Sequence, residues 1–322
     1  MKILFTGITG FIGRRVARKF IKRKHELTAL IRPGTAPERI SEFRSSFNFA
    51  EIDLADTEKL KSWLAENKFD LIYHIGAVRG GRKFPREIYC KANIDATEQL
   101  ALNAFENESK LIFCSSVGVF GAIPRELPAN SRTARQRDTY YHYTKIQAES
   151  IIQKYVLNGL NAVIIRPSIT YGPGDYGFPY TLIKLIDKKL FLMPDRPVKI
   201  HLSHVETMAE AFAQAGERYL NPGSEYIVAD VAPVELKELA DFISMKLREE
   251  PYPQNRIIPH HFFDLGKNIA RKIKSDVWKS RFELISESWY YDTCNSLKDL
   301  NIHHHKTIPD FKIVIDWYKK NK

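Results

Sequence analysis

Apolar positions in the first half of the chain follow two alternating rhythms. Short continuous apolar runs at residues 3–5, 27–31, 49–52, 71–74, 111–115 and 163–166 predict buried strands. Between them the spacing lengthens to a helical period, as at Ile12, Val16 and Phe20. The clearest helices are predicted over 89–106 and 141–157. Strands that are apolar on both faces and separated by helices imply a parallel sheet covered on both sides. The expected fold class is therefore α/β, a doubly wound parallel sheet of Rossmann type.

After Arg166 the rhythm breaks. Pro167, Pro173, Gly174, Gly177 and Pro179 crowd one stretch and predict an irregular segment leaving the sheet. A helix over 182–189, a strand over 226–229 and a helix after Pro233 follow, and 251–259 is again irregular. The division this implies is a dinucleotide-binding domain over 1–167 plus about 197–232. Residues 168–196 and 233–322 then form a smaller substrate-binding module over the carboxyl ends of the strands.

Composition changes this picture little. With 322 residues, 44% of them hydrophobic, the chain can bury a sizeable core, which excludes a disordered protein. Lys and Arg exceed Asp and Glu by 49 to 38, a net charge of +11 that favours anionic partners. A phosphate-bearing cofactor satisfies that bias. The basic residues are scattered and no DNA- or RNA-reading signature occurs, so no nucleic-acid partner is expected. Cys90, Cys114 and Cys294 give neither a disulfide framework nor paired metal-ligand spacing, which suits a reducing, cytoplasmic setting. The start of the chain has a lone Lys, an apolar stretch and Arg14-Arg15, but the basic pair lies on the wrong side for a signal peptide. No apolar run is long enough to cross a bilayer.

The candidate chemistry begins with the loop after the first strand, Thr6-Gly7-Ile8-Thr9-Gly10-Phe11-Ile12-Gly13. Gly7 permits a tight turn, Gly10 lets the backbone approach a pyrophosphate, and Gly13 lets helix and strand pack closely. The helix N-terminus then offers free N–H groups to the phosphates. About twenty positions on, where an NAD site carries an acidic residue, Arg32 follows Leu30-Ile31. A guanidinium pairs with a 2′-phosphate that a carboxylate would repel, so NADP is expected, with NAD the alternative. Asp53-Leu54 follows the third strand, where the carboxylate either accepts from adenine or caps the helix near Thr57.

In Tyr141-His142-Tyr143-Thr144-Lys145 a phenol and an ammonium share one helical face. A buried ammonium beside a phenol lowers its pKa, so Tyr141 can exchange a proton with a substrate oxygen and Lys145 can hold the nicotinamide ribose. Tyr180/Lys184 and Tyr318/Lys322 share the spacing, but only Tyr141 follows a strand ending in Cys114-Ser115-Ser116. A serine there either hydrogen-bonds the substrate carbonyl or ties down the strand end.

These residues resemble the extended short-chain dehydrogenases/reductases, also described as the NAD-dependent epimerase/dehydratase family. The landmarks are the glycine loop, Asp53-Leu54, residues 70–77, 93–97, 115–121 and 141–149, and Arg166-Pro167 through Tyr171-Gly172-Pro173-Gly174-Asp175. The resemblance implies Ser116, Tyr141 and Lys145 as catalytic residues. It implies a cofactor track of Gly7, Thr9, Gly10, Phe11, Ile12, Gly13, Arg32, Asp53, Leu54, Gly76, Ala77, Asn93, Ser115, Tyr141, Lys145, Pro167 and Ser168. It also implies a small-molecule substrate, no metal, and a possible homodimer face on the helices 89–106 and 141–157.

Within the family, dehydratases carry an acidic pair where this chain has Val117 and Gly118, which speaks against dehydration. Epimerases carry Asn where Ile169 stands. Arg32-Pro33-Gly34, the Tyr171 to Asp175 segment, and the tail from Trp289-Tyr290-Tyr291-Asp292 to Trp317-Tyr318 are similar to the 3β-hydroxysteroid dehydrogenase and dihydroflavonol reductase group. That implies hydride transfer between nicotinamide and a secondary alcohol or ketone. A nucleotide-sugar epimerase and a non-catalytic dinucleotide sensor are the alternatives. The usual Ala-Ala after the fourth strand is Gly76-Ala77 here, and the arginines of Arg79-Gly80-Gly81-Arg82 either meet an acidic substrate or, the favoured reading, decorate a mobile loop.

Three further features are expected to be structural. His303-His304-His305 cannot converge on one ion and predicts an exposed loop. His201 and His204 approach the cleft or, more commonly, serve as satisfied structural residues. Phe262, Leu265, Ile269, Ile273 and Val277 fall at helical spacing among Lys267, Arg271, Lys272 and Lys274. Such a helix can lie on an anionic membrane or cover a lipid-like substrate. The expectation carried forward is a helix packed on the C-terminal module, without membrane contact.

Overall fold

The computed structural model describes residues 1–80, 84–273 and 275–322, with the backbone only at residues 276 and 277. Six of the predicted strands are formed: β1 (Lys2–Thr6), β2 (Glu26–Ile31), β3 (Asn48–Glu51), β4 (Leu71–His74), β5 (Lys110–Cys114) and β6 (Ala162–Pro167). A seventh, Glu225–Val228, pairs parallel with β6. Their order across the sheet is β3-β2-β1-β4-β5-β6 and then Glu225–Val228, every pairing parallel. The order reverses between β1 and β4, and that crevice is where doubly wound sheets take ligands.

Helices cover both faces. α1 (Phe11–Arg18) and α2 (Thr57–Glu66) follow β1 and β3, and α3 (Arg86–Cys90) runs through a π-helical turn at Lys91–Asp95 into α4 (Ala96–Glu106). α5 (Tyr140–Leu157) starts at Thr139, whose hydroxyl accepts from the His142 amide at 3.1 Å. α6 (Phe178–Asp187) and α7 (Val205–Glu217) follow β6, and α8 is Leu236–Arg248. Alternate residues of one strand enter different cores. Ile3 and Phe5 join Val16, Phe20 and Phe212 on one face, whereas Leu4 joins Leu60, Leu100 and Ile152 on the other.

The single helix expected through Phe262 to Val277 is corrected to two, α9 (His261–Lys272) and α10 (Asp276–Ser286). Ser275 accepts from the Trp278 amide and restarts the helix as an N-cap. The two pack so closely that a Cβ on Gly266 would stand 2.9 Å from the Phe282 ring. The apolar row expected to face inward does not. Phe263 and Ala270 are buried, while Phe262, Leu265, Ile269 and Ile273 are exposed. Lys274 and the Val277 side chain lie outside the described residues.

α11 (Cys294–Leu300), α12 (Thr307–Asp310) and α13 (Lys312–Asn321) complete the chain. The triple-histidine segment is a loop with His303 exposed, as expected, but its full exposure is corrected: His304 is buried with Nδ1 at 2.8 Å from the Ala229 carbonyl oxygen, and His305 pairs with Asp310 at 2.8 Å. His201 and His204 are buried structural residues, held by the Asp230 carbonyl and by the cap of α7 respectively. No helix among the described residues is long and apolar enough to cross a membrane.

Candidate functional site

Gly7 adopts φ +78°, a left-handed conformation that glycine tolerates, and its carbonyl accepts from Gly10 at 2.8 Å. A Cβ on Gly13 would stand 2.2 Å from that carbonyl oxygen, so only glycine lets α1 approach the turn. α1 carries no acidic residue in its first turn and no side-chain cap, leaving its N–H groups directed at the loop. Thr9, Phe11 and Ile12 flank this cradle, which fits a pyrophosphate. Gly76 closes it from β4. Its amide donates to Thr6 Oγ1 at 2.9 Å, and a Cβ there would meet Leu54 and the Gly7 amide at 2.9 and 3.1 Å. Exposed Ala77 follows it.

Arg32 ends β2 exposed, its carbonyl accepting from the Thr35 amide and hydroxyl. Arg39, which sequence reasoning passed over, reaches the Thr9 carbonyl of the glycine loop at 3.0 Å. The two readings of Asp53 separate here. Asp56, not Asp53, caps α2, and Asp53 closes a local turn on the Ala55 amide at 2.9 Å.

Ser116, Tyr141 and Lys145, the three residues expected to be catalytic, come from just past the end of β5 and from α5. Ser116 Oγ accepts from the Gly118 amide at 3.0 Å, and both Ser116 and Tyr141 line the same cavity. Lys145 is buried, with Nζ 2.7 Å from the Cys114 carbonyl oxygen and 4.6 Å above the Phe113 ring. The expectation that Lys145 lowers the Tyr141 pKa is not met in this geometry. Burial raises Tyr141, and the opposing pulls come from the Ser116 hydroxyl and the Arg79 charge. Burial also lowers the Lys145 pKa. Arg79 is exposed on the loop over Tyr141, while Gly81 and Arg82 lie outside the described residues.

Several predicted site residues bond to the framework. Asn93 sits in the π-helical turn, accepts from the Val78 amide at 2.7 Å, and donates to the Val78 carbonyl and to Thr144 at 2.9 and 3.0 Å. It thereby ties the loop after β4 to α5. Ser115 donates to Glu149 at 2.5 Å, and Glu149 grips the fully buried Arg166 with two bonds of 2.8 Å. Ser168 donates to the His201 carbonyl, leaving Pro167 and its own backbone to border the site.

A cavity of about 490 Å³ opens on Ser116 and Tyr141. Phe84, Tyr89, Val117, Tyr140, Ile169, Leu284 and Tyr291 supply much of its wall. Among its described lining residues the only Lys or Arg is Arg86, which stacks 5.1 Å over Tyr140. Sequence reasoning missed His142, which also lines the cavity. Its ring would stand 2.5 Å from a Cβ on Gly118, and it is hydrogen-bonded to Asp138. Burial opposes ionisation of Asp138, but the His142 bond and the Ala122 amide leave its pKa lowered. The four-residue spacing of Asp138 and His142 at a helix start was the available signal.

Residues 3–229 match the model of the NAD-dependent epimerase/dehydratase family. A ketoreductase of Stigmatella aurantiaca, named for 4-hydroxy-2-methyl-3-oxo-4-farnesyl-3,4-dihydroquinoline-1-oxide, is 26% identical over 85% of this chain and 82% of its own. The chloroplast stem-loop binding protein of 41 kDa b of Arabidopsis thaliana is 24% identical over 88% of this chain and 76% of its own. The structure of UDP-glucuronic acid 4-epimerase from Bacillus cereus in complex with NAD superposes with a TM-score of 0.76. It is 20% identical and covers 100% of this chain and 99% of that one, a likeness of fold. The chain belongs to the NAD-dependent epimerase/dehydratase family.

Proposed function

We propose that this family member transfers hydride between a nicotinamide dinucleotide and a secondary alcohol or ketone, with NADP preferred over NAD. The observation that carries the reaction class is the cavity beside Ser116 and Tyr141, whose described wall is largely aromatic and aliphatic, with Arg86 the only Lys or Arg among the described lining residues. A nucleotide-sugar epimerase must hold a diphosphate, which calls for several cations or amide donors at the substrate. The ketoreductase relative supports the same reading.

In this reading Gly7, Thr9, Gly10, Phe11, Ile12 and Gly13 hold the pyrophosphate, Arg32 the 2′-phosphate, and Asp53 with Leu54 the adenine. Gly76, Ala77, Pro167 and Ser168 border the track, with Asn93 and Ser115 fixing its walls from behind. The dinucleotide supplies or accepts the hydride. Tyr141 exchanges the proton with the substrate oxygen, Ser116 donates a hydrogen bond to that oxygen, and Lys145 turns to the nicotinamide ribose. Residues 168–196 and 233–322 form the substrate module.

The test is turnover of a panel of lipophilic ketones with NADPH. Tyr141→Phe is expected to lower kcat by about a hundredfold or more while NADPH affinity holds. Unchanged turnover in Tyr141→Phe would remove Tyr141 from the mechanism. A tightly retained NAD that interconverts sugar nucleotides would replace the reading with an epimerase.

A further inference from the structure

The α9–α10 hairpin shows an apolar surface that the rest of the fold leaves uncovered. Phe262, Leu265, Ile269 and Ile273 are each at least half exposed, from 50% at Phe262 to 63% at Ile273. At 100° per residue they share one narrow arc of α9, distinct from the buried arc of Phe263 and Ala270. Trp278 adds a fifth large side chain, 50% exposed, with Arg281 stacked 5.0 Å over its ring. Single exposed hydrophobics are ordinary, but a contiguous row on a charged helix marks a contact surface.

Charge identifies the occupant. The hairpin sequence, residues 261–286, holds six Lys and Arg against three Asp and Glu. Lys267 is neutralised by Asp264 and Glu287 at 2.8 and 2.6 Å, whereas Arg271 and Lys272 stand exposed on α9, Lys272 next to the apolar arc. An apolar stripe with a tryptophan and flanking cations fits the boundary between acyl chains and anionic headgroups. The whole chain, at +11, adds a long-range attraction of the same sign.

We propose that the α9–α10 hairpin is a peripheral docking surface for anionic phospholipid membranes, with the apolar row entering the headgroup boundary. α10 also carries Ser280 and Leu284 into the wall of the cavity beside Tyr141. Docking therefore sets the bilayer against the element that bounds the cavity, which suits an amphiphilic substrate. The membrane contact itself stands on the hairpin surface and does not depend on the reductase reading.

The experiment is flotation of the full chain with vesicles of phosphatidylcholine, alone or with about a third phosphatidylglycerol. The protein is expected to float with the anionic vesicles at low salt and to stay behind with pure phosphatidylcholine. Leu265→Ser with Ile269→Ser is expected to cut partitioning at least tenfold. Arg271→Ala and Lys272→Ala should each cost about fivefold. All four positions are exposed, so an unchanged melting temperature verifies that the variants fold. Brominated lipids should quench Trp278 fluorescence, and Trp278→Phe should lose that quenching. Failure of the wild type to float with anionic vesicles overturns the proposal, as does equal flotation of the serine variant. A dimer in sedimentation that the serine variant dissolves, without vesicle binding, assigns the surface to a second copy instead.

Discussion

Replacing Glu149 by Leu tests whether the ion pair beneath the site holds it together. Glu149 is 5% exposed, and its two oxygens take Arg166 Nε and Nη2, with the Ser115 hydroxyl on one of them. Without it, a guanidinium of 0% exposure keeps only Glu225, at 2.7 Å, and the face of Phe120. Removing one partner of a buried pair costs about 3–5 kcal/mol, and the surviving Glu225 places the loss at the low end, about 3 kcal/mol. The orphaned Ser115 hydroxyl adds about 1 kcal/mol. A chain of 322 residues unfolds with an entropy of about 0.7 kcal/mol/K, so the melting temperature should fall by about 6 °C. Differential scanning calorimetry measures this directly. The companion double variant, Glu149→Leu with Arg166→Met, removes the stranded charge and lets Arg135 and Glu225, already 3.5 Å apart, pair with each other. It should regain more than half of the loss. A single variant that melts within 1–2 °C of wild type, or a double variant below the single, would refute the reasoning.

Three other outcomes follow from the same structure. Gly13→Ala drives a Cβ into the Gly7 carbonyl, so it should cost about 1–3 kcal/mol and weaken dinucleotide binding at least tenfold, measured by thermal shift and titration; native affinity would dissolve the cradle argument. Arg32→Ala should weaken NADPH by about tenfold or more and leave NADH unchanged in parallel titrations. For pH, burial lowers His74 to about 3 and His201 and His204 to about 4, so these three favour the fold as pH rises from 4 to 6.5. Burial raises Asp175 and Asp230 to about 6, and these two oppose it as pH rises from about 4 to 6. Near pH 5 the unfolded chain binds about one proton more from these five groups. Their combined contribution therefore rises by about 1.4 kcal/mol per pH unit. Urea titrations at pH 4.5 and 5.5 check the sign, and Asp230→Asn should steepen the slope.

The strand and helix pattern, the glycine loop, and the shared face of Tyr141 and Lys145 were legible in the sequence because each depends on neighbours within one element. Periodicity, a turn that excludes Cβ atoms and a four-residue spacing are local properties of the backbone. What only the tertiary structure decided was where the polar groups point. Lys145 turns to the Cys114 carbonyl 31 positions away, Asn93 to Val78 and Thr144, and Ser115 to Glu149, 34 positions on. The burial of His304 and the exposure of the α9 row were equally beyond sequence, since an amphipathic helix carries no record of what covers it. Periodicity tells which side chains share a face. Only the packing of distant segments determines whether that face meets protein or solvent, and which buried donor finds which acceptor.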